Sequence, residues 1–408
     1  MFSTLAFTMN PTISVACDSK PAGPAAWGAV LAMSLAAFAL VASEFMPVSL
    51  LTPLAADLRI TEGQAGQSIA ISGAFALLTS LCLTSVVGRL DRKTLLLALT
   101  GLMIASGTVA AFAPNYPLFM VGRALIGVAI GGFWSMSAAT AMRLVPTADV
   151  PRALAILNGG NALATVIAAP AGSYLGGVIG WRGAFFCLVP VATVALAWLW
   201  FSLPALRPEN RQAPVSMVAL LKRPAVFLGM VAASLFFMGQ FALFTYLRPF
   251  LETVTRVDVS TLSLMLLVLG VAGFIGTTLI GSVLKARMYP VLIAIPLIMA
   301  AIAAALLVVG QSAAATTVLL AIWGLVATAA PVGWWTWLAR TLPRDAEAGG
   351  GLMVAVVQLA IMLGATGGGL LFDASGHGAT FGFSAAVLVA ASVLALLAAR
   401  AGRVVQPA

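Results

Sequence analysis

Charge is what this sequence has least of. Only 8% of its 408 residues are Asp, Glu, Lys or Arg, where ordinary soluble domains carry about 25%. With 62% hydrophobic residues and a mean hydropathy of +1.08, the chain holds more apolar surface than a soluble fold could bury. Cysteine is scarce as well. Cys17, Cys82 and Cys187 lie far apart, with no metal-ligand spacing and no disulfide framework among them. The single histidine, His377, reads as a solvated loop residue. There is no H-E-x-x-H, no G-x-S-x-G and no pair of acids within one apolar stretch, which argues against a membrane enzyme. No cofactor is called for.

What the chain has instead is long uncharged runs. A helix needs about 20 apolar residues to cross a bilayer. Runs without Asp, Glu, Lys or Arg cover 65–87, 153–181, 183–206, 224–247, 259–284, 348–372 and 374–399. Two further runs are long enough for a pair of helices each. The first, 94–142, breaks at Pro114, Asn115, Tyr116 and Pro117 and is interrupted by Arg123; the second, 288–339, turns near Gly310, Gln311 and Ser312. Adding the span at 27–51, which contains Glu44, predicts an all-α membrane protein of twelve transmembrane helices.

A formal net charge of +9 invites a nucleic-acid partner, but the placement of the basic residues explains it otherwise. With both termini cytoplasmic, 16 of the 21 Lys and Arg fall in cytoplasmic segments and 4 outside (Arg59, Arg182, Arg248 and Arg256), the remaining one being Arg123. This is the asymmetry of the positive-inside rule, and it predicts a multi-pass protein of the bacterial inner membrane with no nucleic-acid patch. Residues 1–24 read as a cytoplasmic tail, because the segment ending at Cys17 lacks the positively charged start of a cleavable signal.

The longest polar interruption, 204–223, falls at the centre of the chain and reads as a cytoplasmic linker. It separates an N-terminal six-helix half, 25–203, from a C-terminal half, 224–400, followed by a short tail, 401–408. At an offset of 196 residues Glu44-Phe45 falls on Gln240-Phe241, Pro53 on Pro249, Gly172 on Gly368, Gly180 on Gly376 and Phe185 on Phe381. The matches keep the order expected of a duplicated six-helix unit, so two pseudo-symmetric halves are expected, with a solute site between them.

Glu44 is the residue that most needs explaining. A carboxylate within a span costs on the order of 2.5 to 3.5 kcal/mol on insertion scales, and is a functional hypothesis by default. Arg123 is the other charge well within a span, at a depth close enough for contact through long side chains. Two readings stay open: a permanent pair that neutralises two buried charges, or a site that changes partners between conformations and so loads and releases a proton. The repeat partner of Glu44 is Gln240, an amide that cannot titrate.

Three stretches, Gly88 to Lys93, Arg123 with Gly127, and Pro170 to Phe185, together resemble the major facilitator superfamily of proton-coupled drug and metabolite exporters. Gly88 to Lys93 looks like a shortened form of the family's basic loop between helices two and three. Arg123 and Gly127 match its fourth-helix R-x-x-x-G pattern, and Pro170 to Phe185 resembles the fifth-helix motif of its exporters. Ala169 stands before Pro170 where many members have Gly. Four blocks are similar to bacterial purine-ribonucleoside efflux permeases: Ser43 to Pro53, Gly131 to Ala138, Gly239 to Phe250 and Pro331 to Trp337. Related sugar exporters share the Glu-Phe-x-Pro block. The resemblance implies a major-facilitator-type fold, a functional monomer, and proton-coupled export of a small nucleoside-like solute.

A neutral solute with a flat base and several hydroxyls calls for aromatic faces and amide groups. The spans offer Gln67, Trp134, Asn158, Asn161, Gln240, Tyr246, Trp335 and Gln358. For Asn161 and Gln358 the rival to cavity lining is an interhelical hydrogen bond; for Trp334 and Trp337 packing or an interfacial belt competes with any ligand role. Arg248, beside Pro249, either snorkels to the interface or closes an outer gate. A drug or sugar exporter of the same fold is the second functional expectation, and a channel is a remoter one.

Overall fold

The computed structural model describes residues 25–86, 91–206, 217–343 and 345–404. The tail at 1–24, residues 88–90 of the basic loop, the centre of the linker and residues 405–408 of the C-terminal tail lie outside the described residues.

Nine apolar segments are long enough to cross a membrane among the described residues, and three of them contain two spans apiece. Their internal breaks fall at Gly180, Arg287 and Gly376, which gives the twelve expected crossings. The first four helices are Trp27–Leu58, Glu62–Val86, Arg92–Ala111 and Tyr116–Arg143. The fifth and sixth occupy 150–179 and 181–202, and the seventh is Pro224–Thr245. The eighth and ninth occupy 259–286 and 288–309, the tenth is Ala313–Thr341, and the last two occupy 346–375 and 377–404. The first helix runs seven residues past the expected Leu51, to Leu58. Within the linker, Met217–Leu221 forms a short helix.

Polar residues close the spans where the sequence breaks. Asn115 accepts from the Leu118 N–H at 3.0 Å, Asp91 from Lys93 at 2.9 Å and Ser312 from Ala315 at 3.4 Å, each satisfying a donor that a helix start leaves open. The repeat extends to the backbone. Arg59 caps the first helix and Arg256 caps the short helical stretch 247–255 that follows the seventh, and they take left-handed φ values of 56° and 57°.

Small residues set the packing distances, as expected where van der Waals contact rather than water drives association. A Cβ on Gly131 would lie 2.2 Å from the Ala76 carbonyl oxygen, and one on Gly276 would lie 1.8 Å from that of Leu325. The halves meet through the same device. Gly73 of the second helix lies against the Gln358 backbone of the eleventh, and Gly270 of the eighth against Val166 of the fifth.

The end of the bundle opposite the termini, the distal end, is sealed between the halves. Asp373 of the eleventh helix accepts from the Gly63 N–H at 2.9 Å and the Thr61 hydroxyl at 2.6 Å, capping the second helix from the other half. Tyr246 fills the space between Gly66 and Gly369, where an added Cβ would come within 2.0 and 2.3 Å of its hydroxyl oxygen.

Candidate functional site

The first helix carries two internal prolines, Pro47 and Pro53. A proline has no N–H for the carbonyl four residues earlier, so Ser43 and Ser49 are left with unbonded carbonyls inside a span. Both are answered by arginines. Arg123 donates Nη1 to the Ser43 carbonyl at 2.8 Å, Nη2 to that of Glu44 at 3.1 Å and Nε to that of Ser68 at 3.1 Å. Arg248 donates Nη1 to the Ser49 carbonyl and Nε to Glu252 at 2.7 Å.

The Arg123 guanidinium is thus held by backbone, and no ion pair joins it to the Glu44 carboxylate among the described residues. The direct pairing considered from the sequence is replaced by a clamp on the first and second helices, with Arg123 acting on Glu44 through space. The Gln358 amide, which belongs to the other half, lies close enough to the Glu44 carboxylate to act on it. Glu44 is therefore buried at the junction of the halves.

One residue further on, Phe45 points into a cavity of about 70 Å³ between the halves. The fifth helix contributes Ala164, Thr165 and Ala168, the seventh Gln240, Phe241 and Phe244, and the eighth and tenth Leu269, Trp323 and Thr328. Phe45 stacks on Phe241 at 5.8 Å between centroids and meets Phe244 edge-on at 6.4 Å. The Gln240 Oε1 is buried with no hydrogen-bond partner, as is the Oε1 of Gln358. Buried amide oxygens without donors are costly in a dry interior, and they mark where a solute with N–H or O–H groups would be welcomed.

The remaining candidates separate into groups. Gln67 accepts from the Thr366 hydroxyl of the other half at 3.1 Å. Asn161 is half-buried one turn from Thr165, whereas Asn158 is exposed and folds back onto the Leu154 carbonyl at 2.9 Å. Trp134 is half-buried and packs against the cluster of Val41, Ala42, Ala164 and Ala168, and it is not among the residues that line the cavity. Tyr246 is not in the cavity: it is fully buried, bonds the Ala365 carbonyl at 2.8 Å and stacks on Phe372, because the glycines on either side leave a slot for its ring. Trp335 is 45% exposed, away from the cavity, while Trp334 and Trp337 pack edge-on in the core. The sequence did not single out Phe244, Trp323, Thr165 or Thr328. Apolar helices that are buried on several faces give no periodicity to separate cavity from core.

A bundle of two repeated six-helix halves, with a buried carboxylate and an aromatic-amide cavity at their junction, is the architecture of a secondary transporter. The chain belongs to the Major Facilitator Superfamily, whose sequence model matches residues 33–365. Two relatives resemble it along most of their length. A Pseudomonas aeruginosa protein named transcription regulatory protein OpdE is 64% identical over 388 residues, covering 94% of this chain and 96% of its own. The purine ribonucleoside efflux pump NepI of Salmonella paratyphi B is 43% identical over 347 residues, covering 85% and 87%.

Proposed function

We propose that this multi-pass membrane protein exports purine ribonucleosides across the bacterial inner membrane, driven by protons, with both termini in the cytoplasm. The observation that carries the reading is Glu44: a buried carboxylate next to an amide of the opposite half and one residue from the cavity. Its environment must change whenever the halves move, so its affinity for a proton is tied to their position. The named activity of the NepI relative supports the choice of solute.

In this orientation the distal end, where Asp373 and Tyr246 close the halves together, faces the periplasm. The cavity of about 70 Å³ is small beside the roughly 300–1,000 Å³ of ligand sites, so a nucleoside enters only as the halves part further. Its base would lie among Phe45, Phe241 and Trp323, with Gln240 and Gln358 supplying acceptors and Asn161 and Thr165 meeting the ribose. The energetics suffice. One proton moving down 100 mV supplies about 2.3 kcal/mol, while a tenfold solute gradient costs about 1.4 kcal/mol.

The test is counterflow of labelled inosine in proteoliposomes, with and without an imposed pH gradient. Glu44→Gln should lose gradient-driven accumulation and keep some nucleoside-for-nucleoside exchange. Full gradient-driven transport by that variant would refute proton coupling through Glu44, and no saturable inosine flux in the native protein would refute the solute. A sugar or drug would then be the cargo of the same site. The name of the OpdE relative supports a different emphasis, in which export of a small-molecule inducer changes transcription indirectly. Under that reading a Glu44→Gln strain and a deletion strain share the transcriptional change.

A further inference from the structure

The prolines of the first helix open two carbonyls, and the two are closed in different ways. Ser43 is held by Arg123 from the same half, a bond that survives any rigid movement of one half against the other. Ser49 is held by Arg248, which stands just beyond the seventh helix, in the opposite half. We infer that Arg248 is a positioning residue of the transport cycle: it latches the distal gate by reading the one carbonyl that Pro53 leaves free.

The chemistry suits a reversible latch. Arg248 is 5% exposed, and a buried guanidinium must keep a counter-charge. That counter-charge is Glu252, one turn along the same segment, so the ion pair travels with the C-terminal half when the gate opens. What breaks is the bond to Ser49 alone. A charge-assisted bond to a carbonyl is stronger than a neutral one in place, yet both groups are rehydrated as water enters the opened gate. The latch therefore biases the equilibrium without locking it. It works beside Asp373, which holds the N–H pole of the second helix while Arg248 holds a carbonyl of the first. Both contacts seize backbone groups of the N-terminal half, Asp373 adding the Thr61 hydroxyl.

Proline makes the inference testable, because Pro53→Ala returns an N–H that can bond Ser49 within its own helix. Spin labels at Phe112 and Val308, exposed near the distal ends of the two halves, would report gate opening as a distance distribution in nanodiscs, with Cys17, Cys82 and Cys187 replaced. Arg248→Gln should raise the ratio of long to short distances by about tenfold or more, and Arg248→Lys, which keeps a donor, by less. In the Pro53→Ala background the Arg248→Gln shift should fall below about threefold, because the carbonyl no longer depends on the guanidinium. An unchanged distribution in Arg248→Gln, or a shift of equal size with and without Pro53, would overturn the latch. Should Arg248→Gln fail to fold, Arg248→Lys and Pro53→Ala carry the test alone: each must populate the open gate. The readout is independent of cargo, so failure of inosine transport and failure of the latch are distinguishable.

Discussion

Whether Arg123 answers the Glu44 charge or the helix backbone can be decided by a double-mutant cycle. Replacing Arg123 by Gln removes a guanidinium that makes three bonds of 2.8, 3.1 and 3.1 Å to the carbonyls of Ser43, Glu44 and Ser68. An amide of that length can replace one at most. Losing two charge-assisted bonds at about 1.5–3 kcal/mol each predicts a loss of about 3–6 kcal/mol. If the bonds are to backbone, neutralising Glu44 should change this little, and the coupling energy between Arg123→Gln and Glu44→Gln should stay below about 1 kcal/mol. If the guanidinium were chiefly a counter-ion, Glu44→Gln alone would be strongly destabilising, and the double variant would recover much of the loss. Equilibrium unfolding in mixed micelles, followed by the fluorescence of the nine tryptophans, measures all four corners. A coupling energy above about 2 kcal/mol would refute the backbone-clamp assignment.

Two further predictions rest on single contacts. Gly276→Ala places a Cβ 1.8 Å from the Leu325 carbonyl oxygen and forces the eighth and tenth helices apart, which should destabilise the protein by about 1–3 kcal/mol in the same unfolding assay. Asp258 starts the eighth helix outside the membrane, and hydrogen bonds from Ser260 and Thr261 hold its carboxyl down at about 2. Its unfolded value is about 3.9, so its contribution is complete above that pH and disappears as pH falls through about 2. Hydrogen exchange at the Thr261 amide should accelerate over that window relative to Asp258→Asn, which keeps an acceptor but does not titrate.

The spans and their breaks were legible because crossing a bilayer imposes a length and an apolarity that the sequence cannot disguise. The turn near Gly310, the interruption at 114–117 and the equivalence of Gly180 with Gly376 all sit where the sequence places them. The partners of Arg123 were not legible as a pair of charges, because its ligands are main-chain oxygens that carry no residue signature. A usable signal was nevertheless present: counting four residues back from Pro47 and Pro53 names Ser43 and Ser49, the two carbonyls that the arginines seek. Tyr246 and Trp335 show the limit of composition. Both were read as ligands of the solute, yet the first sits in a slot made by Gly66 and Gly369 and the second projects from the surface, and nothing local in the sequence separates them from Phe241 or Trp323.

Gly180 and Gly376 join their helices with almost no loop, at φ of 76° and 74° and in extended ψ, a conformation essentially reserved for glycine. The consequence reaches back to synthesis. A hairpin whose hinge is one residue has scarcely any polar segment to thread across the bilayer, so the fifth and sixth helices would enter the membrane together, as would the eleventh and twelfth. The nascent chain would then complete each half by inserting a prefolded pair, and a bulky residue at either glycine would be felt first as a failure of biogenesis rather than of transport.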